Sequence, residues 1–224
     1  TKFWTSFGFN LFVGAFTIIG SNVFGFILAY FLNENIKAKG VVRAMFFIPN
    51  IVSAVLVSFI WVFIFTNAMP ALGGALGWDW LGTPSMATVT IIVVSIWQNI
   101  GFLMIIYTAG LQTIPKDVME SAELDGCSGL KKVLKIELPL LMPTVTINLF
   151  VSISGAFKSF DIPNAMTGGG PYGSTMPVAM NIYQEAFTKY NLGYGSAKSV
   201  ILFLTVAAVT LIQLYCTRKK EVEY

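Results

Sequence analysis

The stretch IPKDVMESAELDGCSGLKKVLKIELPLLMP, residues 114–143, is the densest charged block in this chain. It holds four lysines and five acidic residues, nine of the 25 charged residues in the sequence. Apolar runs of membrane-spanning length stand on both sides of it. The block therefore predicts a charged segment that is exposed between two spans.

The overall composition indicates an integral membrane protein. The 224 residues are 55% hydrophobic and 11% charged, with a mean hydropathy of +0.73, whereas an average soluble domain carries about 25% charge. The net charge of +3 and the absence of a long basic run argue against a nucleic-acid partner. The chain has no histidine, and Cys127 and Cys216 are isolated, so we expect no metal site and no catalytic residues.

Charge-free intervals predict five membrane-spanning helices in a single transmembrane domain, residues 1–224. A bilayer core takes about 20 residues of helix, and only helices satisfy the backbone of such a segment internally. Pro49 and Pro143 are expected in the first turns of their helices. A further short helix is expected over 178–190, outside the membrane. The predicted apolar runs are 7–32, 44–66, 86–111, 140–157 and 199–217.

Basic residues set the expected orientation, because cytoplasmic loops are enriched in lysine and arginine. Ten of the 14 basic residues fall on one side if the charged block is cytoplasmic. This orientation places residue 1 outside and residue 224 inside. Since a bacterial multispan protein normally starts in the cytoplasm, we expect at least one helix before Thr1. The ten residues are Lys37, Lys39, Arg43, Lys116, Lys131, Lys132, Lys135, Arg218, Lys219 and Lys220.

The sequence of the charged block predicts two short helices joined by an elbow. Residues 116–124 are predicted to form the first helix, and Asp125-Gly126 to end it, because glycine accepts the left-handed geometry of a helix end. Ser128 is predicted to cap the second helix, and Pro139 to end it. Leu130, Val133 and Leu134 have amphipathic spacing on this second helix. The alternative is a solvated loop.

The run Glu120-Ser121-Ala122-Glu123-Leu124-Asp125-Gly126-Cys127, followed by Ile136-Glu137-Leu138-Pro139, resembles the EAA motif of binding-protein-dependent ABC importer permeases. That motif reads roughly E-A-A-x-x-D-G-A, then I-x-L-P. Ser121 and Cys127 depart from it where alanine is usual, although both are small.

The resemblance extends over essentially the whole chain and is strongest to the sugar-transport branch, to the larger permease of maltose importers. It implies an all-α, five-helix permease core of the MetI-like type, preceded by one further N-terminal helix. The matching segments are Leu32-Asn33, Gly40-Val41-Val42-Arg43, Phe47-Ile48-Pro49, residues 109–115, Phe160-Asp161, Thr167-Gly168-Gly169-Gly170-Pro171, Ala186-Phe187 and Gly193-Tyr194.

The resemblance also implies partners and a mechanism. The cytoplasmic EAA coupling loop, 113–139, would dock into a cleft on an ATP-binding subunit and switch the pathway when ATP binds. A second homologous permease, two ATP-binding subunits, an extracytoplasmic solute-binding protein and the bilayer would complete the bacterial transporter. The chain lacks a G-x-x-x-x-G-K-[ST] loop, so ATP and Mg²⁺ belong to the partner subunits and no cofactor is expected here. The implied docking residues are Glu120, Ser121, Ala122, Asp125, Gly126, Val118 and Met119.

Polar and aromatic residues within the spans are candidates for the substrate path, since polarity at mid-membrane is costly without a purpose. An aromatic ring beside amides offers a sugar a stacking face and hydrogen-bond partners. Interhelical hydrogen bonds are the alternative role for each polar residue. The maltose-type family has asparagine at the position of Ala156 and an aromatic at that of Gly155. The candidates are Trp97, Gln98, Asn99, Phe102, Ser152, Gly155, Ala156, Ser159 and Asp161.

Other transport functions stay open at this point. A permease of the same superfamily for glycerol phosphate, a polyol or an oligopeptide would share the EAA motif. Phosphate would require converging cations, and Lys158 is the one candidate. A secondary transporter or channel would need intramembrane carboxylates or a filter sequence, and a membrane enzyme would need a carboxylate pair or histidine.

Overall fold

The fold is entirely helical in the residues that the computed structural model describes, 2–33, 38–73 and 78–219. This confirms the predicted fold class. Lys37 and Lys220, which contribute to the predicted inner side, lie outside the described residues.

Ten helices follow one another along the described chain. Three of them include or continue into a π-helical turn, at Ile64–Ala68, Val133–Glu137 and Gln184–Thr188. The helices are α1 Lys2–Asn33, α2 Lys39–Ile51, α3 Ala54–Leu72, α4 Pro84–Thr113, α5 Lys116–Leu124, α6 Gly129–Leu140, α7 Met142–Phe157, α8 Asp161–Thr167, α9 Val178–Tyr183 and α10 Leu192–Arg218.

Four of these helices, α1, α3, α4 and α10, are long and apolar enough to cross a membrane. A fifth span results if α6 and α7 are counted together, although they are bent by 74° at Leu141. The described part of the chain therefore has four to five candidate spans, in agreement with the predicted number.

The spans pack around α1 and α4, which lie against each other along their lengths, while α7 contacts both and α10 packs on α7. Two buried apolar clusters result. The inner cluster lies near the predicted cytoplasmic side, and the outer cluster lies near the opposite side. The inner cluster contains Leu32, Met104, Tyr107, Leu111 and Leu141; the outer one contains Val13, Val57, Phe65, Ile91 and Val94.

The predicted second span, 44–66, was wrong at both ends. The helix breaks at Val52 and Ser53, whose backbones are extended, so that α2 is separate and α3 runs from Ala54 to Leu72. Pro49 lies near the end of α2 instead of in its first turn. Charge-free intervals could not reveal this break, because no charged residue lies between Arg43 and Asp79.

The last span begins at Leu192, seven residues before its predicted start at 199. The prediction took Lys198 as the boundary because of its charge. Lys198 is buried, and its Nζ lies 2.9 Å from Oε2 of Glu185. A paired lysine can be carried inside a helix that an unpaired one would end.

Candidate functional site

A cavity of about 290 Å³ lies between α1, α4 and α7. Its walls come from the outer half of α7, the middle of α4 and the outer and central turns of α1. The inner apolar cluster packs below it. The cavity is therefore a recess within the transmembrane region, on the outer side of that cluster.

Seven of the nine predicted path residues line this cavity. They provide a side-chain amide, an aromatic ring, hydroxyls, small side chains and one carboxylate. Gly155 leaves open space, since nothing lies within 4 Å of an added Cβ. The seven residues are Asn99, Phe102, Ser152, Gly155, Ala156, Ser159 and Asp161.

Trp97 and Gln98 do not line the cavity. Successive residues of an α-helix are about 100° apart around its axis, so residues adjacent to Asn99 face other neighbours. Nε2 of Gln98 donates to the carbonyl oxygen of Val52 at 3.3 Å, which satisfies a group freed by the break between α2 and α3. Trp97 is 40% exposed and packs edge-to-face on Trp61.

The sequence prediction missed the wall that α1 contributes. Asn10, Gly14, Thr17 and Ser21 all line the cavity. Their spacing of four, three and four residues places them on one face of the helix. This polar and small-residue periodicity within an apolar helix is a signal in the sequence that charge-free intervals alone do not reveal.

A polar network that includes the cavity-lining residue Ser152 joins three spans. Tyr107 OH donates to Oδ1 of Asn22 at 2.8 Å, and Nδ2 of Asn22 donates to Oγ of Ser152 at 3.1 Å. Ser152 in turn donates to the carbonyl oxygen of Asn148 at 2.7 Å. Since these residues come from α4, α1 and α7, the network fixes the spans relative to one another.

The helix α9 and the π-helical turn that follows it are held to α1 and α10 by hydrogen bonds. Oδ1 of Asn10 accepts a hydrogen bond from the Val178 amide at 3.4 Å, while its Nδ2 donates to the Ala156 carbonyl at 3.1 Å. Glu185 accepts hydrogen bonds from Lys198, and also from Asn191 and Lys189. These bonds, with that of Lys198 the strongest, lower the pKa of Glu185 to about 2.

The charged stretch folds as predicted around its elbow. The first helix, α5, covers Lys116–Leu124, and Gly126 follows with a φ of +74°. Its amide donates to Glu123, and the Cys127 amide donates to Ala122 at 2.9 Å. This pair of bonds is a Schellman motif, which requires the left-handed residue that glycine supplies without strain.

The second helix differs from its prediction in three respects. Ser128 occupies the N-cap position of α6, but its side chain makes no capping hydrogen bond. The helix continues past Pro139 to Leu140. Of its three predicted apolar-face residues only Val133 is buried, whereas Leu130 and Leu134 are 80% and 62% exposed.

An ion pair spans the elbow between the two short helices. Lys132 Nζ lies 2.7 Å from Oε1 of Glu123, and this bond is the main cause of a raised Lys132 pKa. Glu137 is buried nearby, and its Oε2 has no hydrogen-bond partner among the described residues. Burial raises the pKa of Glu137, and Lys132 partly offsets that effect.

The predicted docking residues divide into two groups. Val118, Glu120, Ser121, Asp125 and Gly126 are exposed. Ala122 is buried, and Met119 packs against the inner apolar cluster. These last two side chains hold α5 to the chain's own core. Leu124, which was not predicted to be a docking residue, is 89% exposed beside the elbow.

Residues 21–222 match the family described as the binding-protein-dependent transport system inner membrane component. The chain belongs to this family. It is therefore a permease subunit of an ABC importer, a multi-pass inner membrane protein without catalytic residues, and ATP is hydrolysed by partner subunits. Membership excludes the secondary-transporter and membrane-enzyme alternatives.

Relatives and solved structures agree with this assignment. The permease is 35% identical to a probable starch degradation products transport system permease protein of Thermoanaerobacterium thermosulfurigenes, over 99% of this chain and 77% of the relative. It is 32% identical to an sn-glycerol-3-phosphate transport system permease protein of Agrobacterium fabrum, over 87% and 68%.

The fold of the permease is also found in a solved structure. The crystal structure of a bacterial ABC transporter involved in the import of the acidic polysaccharide alginate contains a chain that superposes with a TM-score of 0.87. The match covers 98% of the permease and 80% of that chain at 19% identity. At this identity the likeness establishes the fold alone.

Proposed function

We propose that this permease forms half of the translocation path of an ATP-driven importer for sugars, in particular oligosaccharides. The observation that carries the proposal is the cavity between α1, α4 and α7. There Phe102 lines the same space as Asn99, Ser152 and Ser159. An aromatic face beside neutral hydrogen-bonding groups suits a polyhydroxylated, uncharged solute.

The size of the cavity fits a small ligand or one end of a longer one. Its volume of about 290 Å³ lies at the lower limit of ligand pockets, which range over about 300–1,000 Å³. Gly155 and Ala156 leave room on α7 where the maltose-type family carries larger side chains. The relative from Thermoanaerobacterium thermosulfurigenes, described as a permease for starch degradation products, makes maltose and maltotriose the first solutes to test.

Glycerol phosphate is the second candidate, because one relative carries that description. A phosphate ester would favour several converging cations. Lys158 is the one basic residue among the described residues that line the cavity, and the carboxylate of Asp161 lies on the same wall. The charge of the cavity thus favours a neutral sugar over a phosphate ester.

Transport would be driven through α5 and the loop 113–139. In this proposal Glu120 pairs with a basic residue in a cleft of an ATP-binding subunit, and Ser121, Asp125 and Gly126 pack closely at its rim. Exposed Val118 and Leu124 supply the apolar contact, whereas Met119 and Ala122 attach α5 to the permease core. The complete transporter contains a second homologous permease, two ATP-binding subunits and a solute-binding protein.

The elbow gives this proposal a mechanical basis. The Lys132–Glu123 ion pair and the Schellman motif join α5 to α6, and α6 leads into α7, which carries the cavity wall. Movement of α5 with an ATP-binding subunit is therefore transmitted to the path. To shift the complex from 1:99 to 99:1 between two states, ATP must favour one of them by about 5.5 kcal/mol.

The test is uptake by the complete complex in proteoliposomes that contain ATP. The solutes are radiolabelled maltose, maltotriose and trehalose, with sn-glycerol 3-phosphate as the competing class. We expect uptake of at least one sugar that requires both ATP and the solute-binding protein. Uptake of glycerol phosphate without uptake of any sugar would contradict the proposal.

A further inference from the structure

The outer and central turns of α1 carry a row of polar and small side chains in an otherwise apolar span. Asn10, Gly14, Thr17 and Ser21 lie on one face and line the cavity. Gly14 allows close approach, since an added Cβ would lie 3.3 Å from that of Ala156. This face of α1 is therefore packed against α7 and open to the cavity at the same time.

The polar members of this row fall into two classes. Asn10 is fully engaged, because its amide nitrogen and oxygen both bond to backbone groups of neighbouring helices. Thr17 Oγ1 and Ser21 Oγ are buried but have no hydrogen-bond partner among the residues that the structure describes. Ser21 is only 2% exposed.

This lack of a partner is unusual for hydroxyls in helices, which commonly bond to the carbonyl four residues earlier. Ser58, Thr108 and Ser152 do so in this chain, at 2.7–2.8 Å. A buried hydroxyl without a partner is costly, and more so at mid-membrane. Thr17 and Ser21 stand halfway along the 32 residues of α1, so their unused hydrogen-bonding capacity points to a ligand.

We propose that Thr17 and Ser21 form a hydroxyl-bearing wall that hydrogen-bonds the transported solute halfway across the membrane. The inference rests on the proposed function and extends the path to a helix outside the predicted set. The opposite wall carries Asn99 and Phe102, so a solute in the cavity meets hydrogen-bonding groups on both sides. The wall is neutral, and its ligand is a polyhydroxylated molecule such as a sugar.

Removal of each hydroxyl tests the wall. We expect Thr17→Val and Ser21→Ala to reduce ATP-driven uptake of maltotriose by the complete complex about 3- to 10-fold each, the effect of one lost neutral hydrogen bond. Thr205→Val and Ser58→Ala are the matched controls, because both remove hydroxyls that bond within their own helices away from the cavity. If Thr17→Val and Ser21→Ala take up maltotriose at the same rate as these controls, the inference is overturned.

Thiol labelling tests contact without relying on the transport rate. In a complex whose permease carries Cys127→Ala and Cys216→Ala, Thr17→Cys, at the half-buried position of the wall, is treated from outside with a membrane-impermeant methanethiosulfonate. Maltotriose with the solute-binding protein should slow labelling at least 3-fold. The same addition should not change the labelling rate of the control Tyr172→Cys, because Tyr172 is 98% exposed. Equal labelling of the Thr17→Cys thiol with and without the sugar would overturn the wall.

The two proposals fail in different ways. A wild-type complex that takes up none of the sugars contradicts the proposed function and the sugar-binding wall together. If the wild-type complex takes up maltotriose, but the hydroxyl variants show unchanged uptake and the sugar does not slow thiol labelling, only the wall is contradicted.

Discussion

Gly101 sets the distance between α2 and α4, and its replacement by alanine should separate them. An added Cβ would lie 1.9 Å from the Phe46 carbonyl oxygen, 2.5 Å from its carbon and 2.8 Å from the Phe47 Cα. Ordinary contact begins at 3.4 Å, so α2 must move by 3.4 − 1.9 = 1.5 Å. Backbone atoms cannot rotate away as a side chain can, and overpacking of this kind costs about 1–3 kcal/mol or more.

The same displacement would break two hydrogen bonds at this crossing. Nε2 of Gln98 lies 3.3 Å from the Val52 carbonyl oxygen, and Nδ2 of Asn50 lies 3.5 Å from the Gln98 carbonyl oxygen. We therefore expect Gly101→Ala to lower both thermal stability and uptake.

The assay for this prediction is the temperature at which half of the detergent-solubilised complex loses its monodisperse size-exclusion peak, followed by reconstituted uptake. Gly8→Ala is the matched control, because Gly8 is also helical and has nothing within 4 Å of an added Cβ. Alanine there should be neutral or slightly stabilising. Indistinguishable stability and uptake for Gly101→Ala and Gly8→Ala would refute the reasoning.

Two further predictions concern a buried ion pair and a buried carboxylate. Glu185→Leu should lower the half-loss temperature, because it removes the ion-pair partner of buried Lys198, and a second change, Lys198→Met, should recover part of that loss. The control Lys189→Ala, at the exposed end of the same cluster, should change the half-loss temperature little. Additive losses from Glu185→Leu and Lys198→Met would contradict the pairing. Glu137→Gln should raise the half-loss temperature at pH 7. The pKa of Glu137 is raised in the folded state by burial. At a pH above the pKa of the unfolded state, the wild-type carboxyl group therefore lowers the free energy of unfolding, and this effect disappears as the pH falls below that pKa. A stability advantage of the Glu137→Gln variant that persists unchanged at pH 4 would contradict this cause.

Local signals allowed the first helix of the charged stretch, α5, to be predicted to the residue. Lys116–Leu124 has its bounds set by Pro115 and by the turn at Gly126, both of which act within a few residues. The exposure of Leu130 and Leu134 was not predictable in the same way. Their amphipathic spacing identifies a face, but only the packing of α6 determines which face is covered.

Non-local packing explains the errors within the membrane. The break at Val52 lies in a charge-free sequence, and the hydrogen bond to the Val52 carbonyl oxygen comes from Gln98, 46 residues away. The charge of Lys198 wrongly predicts the start of the last span, because the partner that allows it inside α10, Glu185, is distant in sequence and is not revealed by charge-free intervals. The cavity wall of α1 was detectable as a polar periodicity, whereas the separation of Trp97 from Asn99 required the positions of the neighbouring helices.

The central claim is that α5 receives the movement that opens and closes this path. The most direct test is the Glu120→Lys variant in the complete reconstituted complex, with uptake and ATP hydrolysis measured in the same proteoliposomes. We predict that uptake is lost and that liganded solute-binding protein no longer stimulates ATP hydrolysis, because the reversed charge at this exposed position would oppose the basic cleft proposed for an ATP-binding subunit. Unchanged uptake with unchanged stimulation of ATP hydrolysis would contradict the docking role of α5.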